Sequence, residues 1–171
     1  ARLPGSPARG VTTDRYCSNL DLAATVLDLA GCPVPEEFDS RSLLPILRGE
    51  TPADWPDHVV AEYFGHHFTY EARMLMHAGY KYIYEPAAFD ELYHLESDPW
   101  ELHNLIDSPA HREALRACRL RLIDWMKATG EDLTVICGLF EAREPLTPET
   151  MAPYDPTAAS RLRRRPTRLI E

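Results

Sequence analysis

Ala72-Arg-Met-Leu-Met-His-Ala-Gly-Tyr-Lys-Tyr-Ile-Tyr84 decides the fold. Tyr80, Tyr82 and Tyr84 alternate with Lys81 and Ile83, the two-residue period of a strand. Ala78-Gly79 leaves room only for a tight turn between this run and the β-rich run before it. Val59-Val-Ala-Glu-Tyr-Phe64 on one side and Glu91-Leu-Tyr-His-Leu95 on the other have the same character. Links this short connect antiparallel neighbours, since a parallel pair needs a crossover of a dozen residues or more. Residues 58–95 therefore predict a four-stranded antiparallel sheet.

A small sheet with an apolar face needs a covering layer. Ser108-Pro109 supplies a cap and a first-turn proline for a helix over 109–129. Leu115, Cys118, Leu122, Trp125 and Met126 form its stripe, and Gly130 ends it. Upstream, Ser18 as N-cap and Asp21 three residues on open a helix over 19–30 with Leu22, Val26 and Leu29 at helical spacing. Gly31 and Pro33 close it. Ser42-Leu-Leu-Pro-Ile-Leu-Arg-Gly49 predicts a short helical turn with Pro45 near its start. Leu133-Thr-Val-Ile-Cys137 is a candidate extra strand, and the prolines at 145, 148, 153, 156 and 166 predict irregular chain beyond it. The fold class expected is α+β.

A hydrophobic content of 44% and a charged content of 26% in 171 residues suit one ordinary soluble domain. The net charge of −9 opposes binding to phosphate backbones, so nucleic acid is set aside as a partner. No apolar run approaches the roughly 20 residues that span a bilayer, so a membrane is set aside too. Arg161, Arg163, Arg164, Arg165 and Arg168 form a basic cluster, read as a solvated tail, with contact to an acidic surface as the alternative. Cys17, Cys32, Cys118 and Cys137 show no metal-binding spacing and read as reduced, mostly buried thiols, with two disulfides a formal alternative. The opening Ala1-Arg-Leu-Pro-Gly5 carries no leader and reads as cut from something longer. The expectation is a soluble protein, with the cytoplasm one candidate compartment.

Four stretches, in this order, resemble the C-terminal part of the formylglycine-dependent sulfatases of the alkaline phosphatase superfamily. Leu20-Asp-Leu-Ala-Ala-Thr-Val-Leu-Asp-Leu-Ala-Gly31 is similar to the helix that follows their catalytic half. Arg41-Ser-Leu-Leu-Pro-Ile-Leu-Arg-Gly49 is similar to their next segment. Tyr80-Lys-Tyr-Ile83 and Glu91-Leu-Tyr-His-Leu-Glu-Ser-Asp-Pro-Trp-Glu-Leu-His-Asn-Leu105 resemble their C-terminal signature. Ala24, Ser40 and His94 depart from the usual Pro, Gly and Asp, none at a catalytic position of the family.

The resemblance implies residues 1–50 as the tail end of the catalytic domain, 51–130 as a C-terminal antiparallel-sheet subdomain, and 131–171 as an irregular tail. It implies a full-length sulfuric ester hydrolase with a formylglycine nucleophile and a divalent metal, calcium. None of the four cysteines sits in the family's Cys-x-Pro-x-Arg motif, so no catalytic residue and no metal ligand is expected in this chain, and the chain alone is expected to be inactive. The implied partners are the N-terminal catalytic part of the same protein and an anionic sulfate ester. Self-association, or packing against the remainder of its own protein, is expected of the isolated chain, whose first helix and next segment would leave Leu22, Val26, Leu29, Leu43 and Leu47 partly uncovered. A phosphonate or phosphate monoester hydrolase is the alternative on the same scaffold, and a non-catalytic interaction module the alternative from another class.

Tyr63, His66 and His67 are the candidate substrate-binding residues, in the loop Glu62-Tyr-Phe-Gly-His-His-Phe68 that leans over the active site in such enzymes. Paired imidazoles bind an anionic ester or donate a proton near neutral pH. The alternative is a solvent-exposed pair, or one buried imidazole on a backbone carbonyl. Arg73 and Lys81 read as solvent or surface-pair residues, His103 and His111 as solvent-facing, and Glu91, Asp98 and Asn104 as local turn residues.

Overall fold

The computed structural model describes residues 10, 12–50, 52–65, 71–86 and 88–130. Its elements are α1 (Asp21–Leu29), α2 (Leu44–Leu47), β1 (His58–Phe64), β2 (Glu71–His77), β3 (Tyr80–Tyr84), β4 (Glu91–His94), a 3₁₀ turn at Pro109–His111, and α3 (Arg112–Ala128). The four strands form one antiparallel sheet in sequence order, as the run pattern predicts. Ala78 and Gly79 both take positive φ, 50° and 80°, which matches the two-residue hairpin turn whose twist suits the strands.

Register decides which side chains meet. Val60 faces Leu75, Leu75 faces Tyr82, and Tyr82 faces Leu92, so one side of the pleat presents a continuous apolar row. α3 covers that row with Leu115, Cys118, Leu122, Ile123 and Met126. Four of these five lie on the predicted stripe, Ile123 extends it, and Trp125 is only partly buried at its edge. Burial pushes the Cys118 thiol up to about 11, so it stays protonated.

Within this core lies one polar centre. The Tyr82 hydroxyl donates to Asp90 Oδ2 at 2.6 Å, and Arg119 Nη2 reaches the same oxygen at 3.1 Å. Asn104 Nδ2 donates to the Asp90 carbonyl at 3.3 Å, and Asn104 Oδ1 accepts from the backbone N–H of Leu92 and Ile106. β3 and α3 are thereby tied to one carboxylate, and Asn104 ties the chain after β4 to β4 and to the Asp90 backbone.

α1 and α2 form a separate small lobe held by backbone bonds. Asp21 accepts from the N–H of Ser18 at 2.7 Å and of Arg41 at 3.0 Å. The Thr25 hydroxyl donates to the Asp21 carbonyl at 2.6 Å and accepts from the Leu43 N–H at 2.8 Å. Trp55 Nε1 donates to the Tyr16 carbonyl at 2.8 Å, and the Arg41 guanidinium lies 5.4 Å from the Trp55 ring centre. The face of α1 that is buried is thus the Asp21–Ala24–Thr25 face, while Leu22, Val26 and Leu29 are exposed by 57%, 64% and 52%.

Three expectations need correction. Ser18 is not the N-cap of α1: Leu20 is, because the first turn is tightened by bonds from Asp21, Leu22 and Ala23 back three residues. Ser108 stands before a 3₁₀ turn and makes no side-chain cap bond, so α3 proper begins at Arg112. Cys17 and Cys32 are exposed, and only Cys118 of the described cysteines is buried. The candidate strand at 133–137 lies outside the described residues. Among the described residues no helix is long and apolar enough to cross a membrane.

Leu122 is fully buried where α3 meets the sheet. Leu122→Ala is expected to destabilise the fold by about 2–5 kcal/mol through lost burial and the cavity left behind. Denaturant unfolding of the two proteins measures it, and a loss below about 1 kcal/mol would mean that α3 is not the covering layer.

Candidate functional site

The candidate loop springs from the end of β1. Tyr63 pairs across with Ala72 and points to the side of the sheet away from α3, with 55% of its surface exposed. His66 and His67 lie outside the described residues. The base of the loop is set by a cation. Arg73 is buried, with Nε 3.5 Å from Glu62 and Nη1 3.8 Å from Glu71, and its guanidinium lies 5.8 Å from the Phe64 ring centre. Glu62 sits directly opposite Arg73 in the register, and Glu71 directly opposite Phe64. The expectation of Arg73 in solvent or in a surface pair is therefore corrected to a buried ion pair. β2 is an inner strand, and Glu62 across on β1 with Glu71 two residues back on β2 supplies the charge that lets the guanidinium be buried.

A second cluster escaped sequence reading, because it joins residues far apart in the chain. Asp57 Oδ1 lies 2.9 Å from His58 Nδ1, and Asp57 Oδ2 accepts from Arg121 Nη2 at 2.6 Å. His77 Nδ1 lies 2.9 Å from the Asp57 carbonyl. The hydrogen bond from His58, with help from the Arg121 and His77 charges, holds the Asp57 carboxyl below its ordinary value. An open cavity of about 240 Å³ adjoins it, lined by Asp14, Arg15, Tyr16, Asp57, His77 and Ala78 among others.

The remaining candidates have structural partners. Lys81 pairs with Glu101 at 2.6 Å. His103 is exposed, as expected, and its backbone N–H donates to Asp98 Oδ2 at 2.8 Å. His111 is half-buried: its Nδ1 is 3.0 Å from the Tyr80 hydroxyl, which corrects the solvent-facing expectation. The Glu91 carboxylate accepts from the Tyr93 hydroxyl at 2.6 Å, and among the described residues it takes no turn backbone N–H. That bond, with burial and nearby carboxylates, pushes Tyr93 up to about 12.

A divalent cation of the calcium type wants six or more oxygen ligands. Among the described residues no group of three or more His, Cys, Asp or Glu is placed to hold one. Asp21, Asp57 and Asp90 are each committed to N–H, hydroxyl or cationic partners. The described residues thus do not fit a metal cage.

A profile of the family described as "N-sulphoglucosamine sulphohydrolase, C-terminal" matches residues 1–128. The Delta 4,5-hexuronate-2-O-sulfatase of Bacteroides thetaiotaomicron is 36% identical over 116 residues, 66% of this chain and 24% of that protein. The solved structure of a 2-O GAG sulfatase is similar at TM-score 0.62 and 31% identity, covering 73% of this chain and 28% of its own. A phosphonate monoester hydrolase from Silicibacter pomeroyi is similar at TM-score 0.63 and 23% identity, covering 78% and 29%, a likeness of fold alone. This chain spans between 24% and 29% of the length of these proteins.

Asp57 gives a pH prediction. Its folded value is depressed, so its contribution is fully present above the ordinary carboxyl value of 3.8 and is lost as pH falls through the folded value. Thermal midpoints of the protein and of Asp57→Asn, followed from pH 6 to pH 2, are expected to differ at the high end and to converge at the low end. A constant gap over the whole range would contradict the charged role of Asp57.

Proposed function

This chain belongs to the family of N-sulphoglucosamine sulphohydrolase C-terminal domains, and from that membership we propose that it is the C-terminal portion of an enzyme that hydrolyses sulfate esters. The observation that carries the reading is the family match over residues 1–128. In this reading 1–50 is the edge of the catalytic domain, 51–130 the subdomain that completes the fold, and 131–171 an appended tail. The formylglycine and the divalent cation belong to the upstream part, where together they supply the nucleophile and the charge that attack and hold the sulfate. This chain contributes to neither.

Its own residues would act on the substrate side. The Arg73–Glu62 pair fixes the base of the loop after β1. Tyr63 is 55% exposed there. His66 and His67 follow within four residues, and imidazoles near neutral pH donate hydrogen bonds to anionic ester oxygens. The exposed stripe of Leu22, Val26 and Leu29 supports docking of α1 on the upstream part, because a contiguous apolar patch on a soluble protein tends to be covered. Without that part, the same stripe favours self-association.

The fold likeness to a phosphonate monoester hydrolase supports one further reading, hydrolysis of a phosphonate or phosphate monoester on the same scaffold. Turnover of matched chromogenic sulfate and phosphonate esters by the full-length enzyme separates the two. A preference for the phosphonate would overturn the sulfatase reading.

The isolated chain is expected to release no chromophore from an aryl sulfate above a heat-killed control. Turnover by it would contradict the placing of the nucleophile upstream. In the full-length enzyme, His66→Ala with His67→Ala is expected to lower kcat/KM by about tenfold or more, the size of one lost hydrogen bond to a charged group. An unchanged kcat/KM would remove the two histidines from the site.

A further inference from the structure

Trp100 and Leu102 are the two most exposed large apolar side chains among the described residues, at 81% and 73%. They stand two residues apart on the loop that follows β4. Backbone bonds brace that loop. The Asp98 N–H donates to the His94 carbonyl at 2.9 Å, the Glu101 N–H to the Asp98 carbonyl at 3.1 Å, and the His103 N–H to Asp98 Oδ2 at 2.8 Å. Glu101 takes a φ of 55°, uncommon for a residue with a side chain, and its carboxylate is anchored to Lys81. An indole held in water by a braced loop is apolar area that a partner gains by covering.

The charge around the indole selects the partner. Residues 95–108 hold Glu96, Asp98, Glu101 and Asp107 and no lysine or arginine. Glu96 and Asp107 are exposed. Such a surface repels an anionic ester and attracts a cation. Guanidinium groups suit it best, because they stack on an indole face and also pair with carboxylates. The densest cationic run of this chain is Arg161-Leu-Arg-Arg-Arg-Pro-Thr-Arg168, five arginines in eight residues, which lies outside the described residues.

That run is tethered to the same body. α3 starts beside the loop, since His111 meets Tyr80 and the neighbouring Lys81 holds Glu101. The 17 residues of α3 end roughly 26 Å further on. The 30 residues from 131 to 160 can extend to roughly 100 Å, so the arginines can reach back to the loop. A segment tethered in this way meets its site at an effective concentration on the order of a millimolar.

We infer that residues 161–168 dock on the loop of residues 96–107, with arginine side chains against Trp100, Glu96 and Asp107 and with Leu162 against Leu102. The inference uses only residues of this chain and stands apart from the choice between sulfate and phosphonate esters.

Hydroxyl-radical labelling of the full-length protein, resolved to single residues by peptide mass spectrometry, reads the contact. It is compared with the same protein ended after Ser160 and with Arg163→Glu, Arg164→Glu and Arg165→Glu combined. Trp55, buried in the α1–α2 lobe, is the internal control. Trp100 is expected to be labelled about threefold or more faster in both variants, since either change removes the tethered cation. In the unmodified protein its protection is expected to fade as salt rises to about 1 M, where charges are screened beyond about 3 Å. Equal and fast labelling in all three proteins would mean that nothing covers Trp100, and equal and slow labelling that another part of the protein does. Either result overturns the inference, as does protection that grows with protein concentration, which would place a second copy there. If Trp55 is labelled quickly in a variant, that variant has unfolded, and Trp100→Ala, a change on the surface, decides instead. Limited trypsin cleavage after Arg161, Arg163 and Arg164 is expected to be about threefold or more faster in Trp100→Ala. An unchanged cleavage rate would overturn the inference.

Discussion

Asp90 is the group on which the body of this chain depends. Its carboxylate is buried and receives the Tyr82 hydroxyl and the Arg119 guanidinium, both from other elements. Burial holds the Tyr82 hydroxyl well above its ordinary value, with the Asp90 charge adding to it, so Tyr82 remains a donor. Burial alone would lower Arg119, yet its contacts with Tyr82 and Asp90 outweigh that and raise it. Removing one member of such a set leaves an uncompensated buried charge, at a cost of about 3–5 kcal/mol. The set therefore acts as a register pin. It fixes β3 against the start of β4 and sets α3 on the sheet at one rotation.

That pin makes the sheet and α3 a closed unit on one side. The α1–α2 lobe is different. Its buried contacts are backbone bonds made by Asp21 and Thr25, with Ala24, Leu44 and Trp55 as its small apolar centre. The long apolar side chains of α1, Leu22, Val26 and Leu29, are exposed. A nine-residue helix gains little stability from its own hydrogen bonds, so such a helix depends on burying an apolar face. This distribution agrees with the proposed reading, in which the exposed apolar stripe of α1 docks on an upstream part.

Local signals in the sequence revealed the meander and its covering helix. Tyr80-Lys-Tyr-Ile-Tyr84 carries a clean two-residue period, and Ala78-Gly79 can adopt the positive φ that its hairpin demands. Leu115, Cys118, Leu122 and Met126 carry the helical period. The structure departs from the reading where partners are distant in sequence. Arg73 is buried because Glu62 lies across the register, Asp57 gathers His77 and Arg121, and His111 meets Tyr80. None of these pairings has a local spacing that would announce it. Capping failed for another reason. Ser18 and Ser108 are good cap residues, but i, i+3 turns at each helix start displaced the cap. Of the candidate site, Tyr63 is exposed at the end of β1, and His66 and His67 lie outside the described residues.

The account holds that this chain completes an enzyme whose nucleophile lies upstream. Complementation tests that most directly. The upstream portion and this chain are produced as separate polypeptides and mixed, and sulfate-ester turnover is recorded for each alone and for the mixture. The account predicts turnover in the mixture that neither polypeptide gives alone. Full turnover by the upstream portion without this chain, or turnover by this chain without it, would contradict the account.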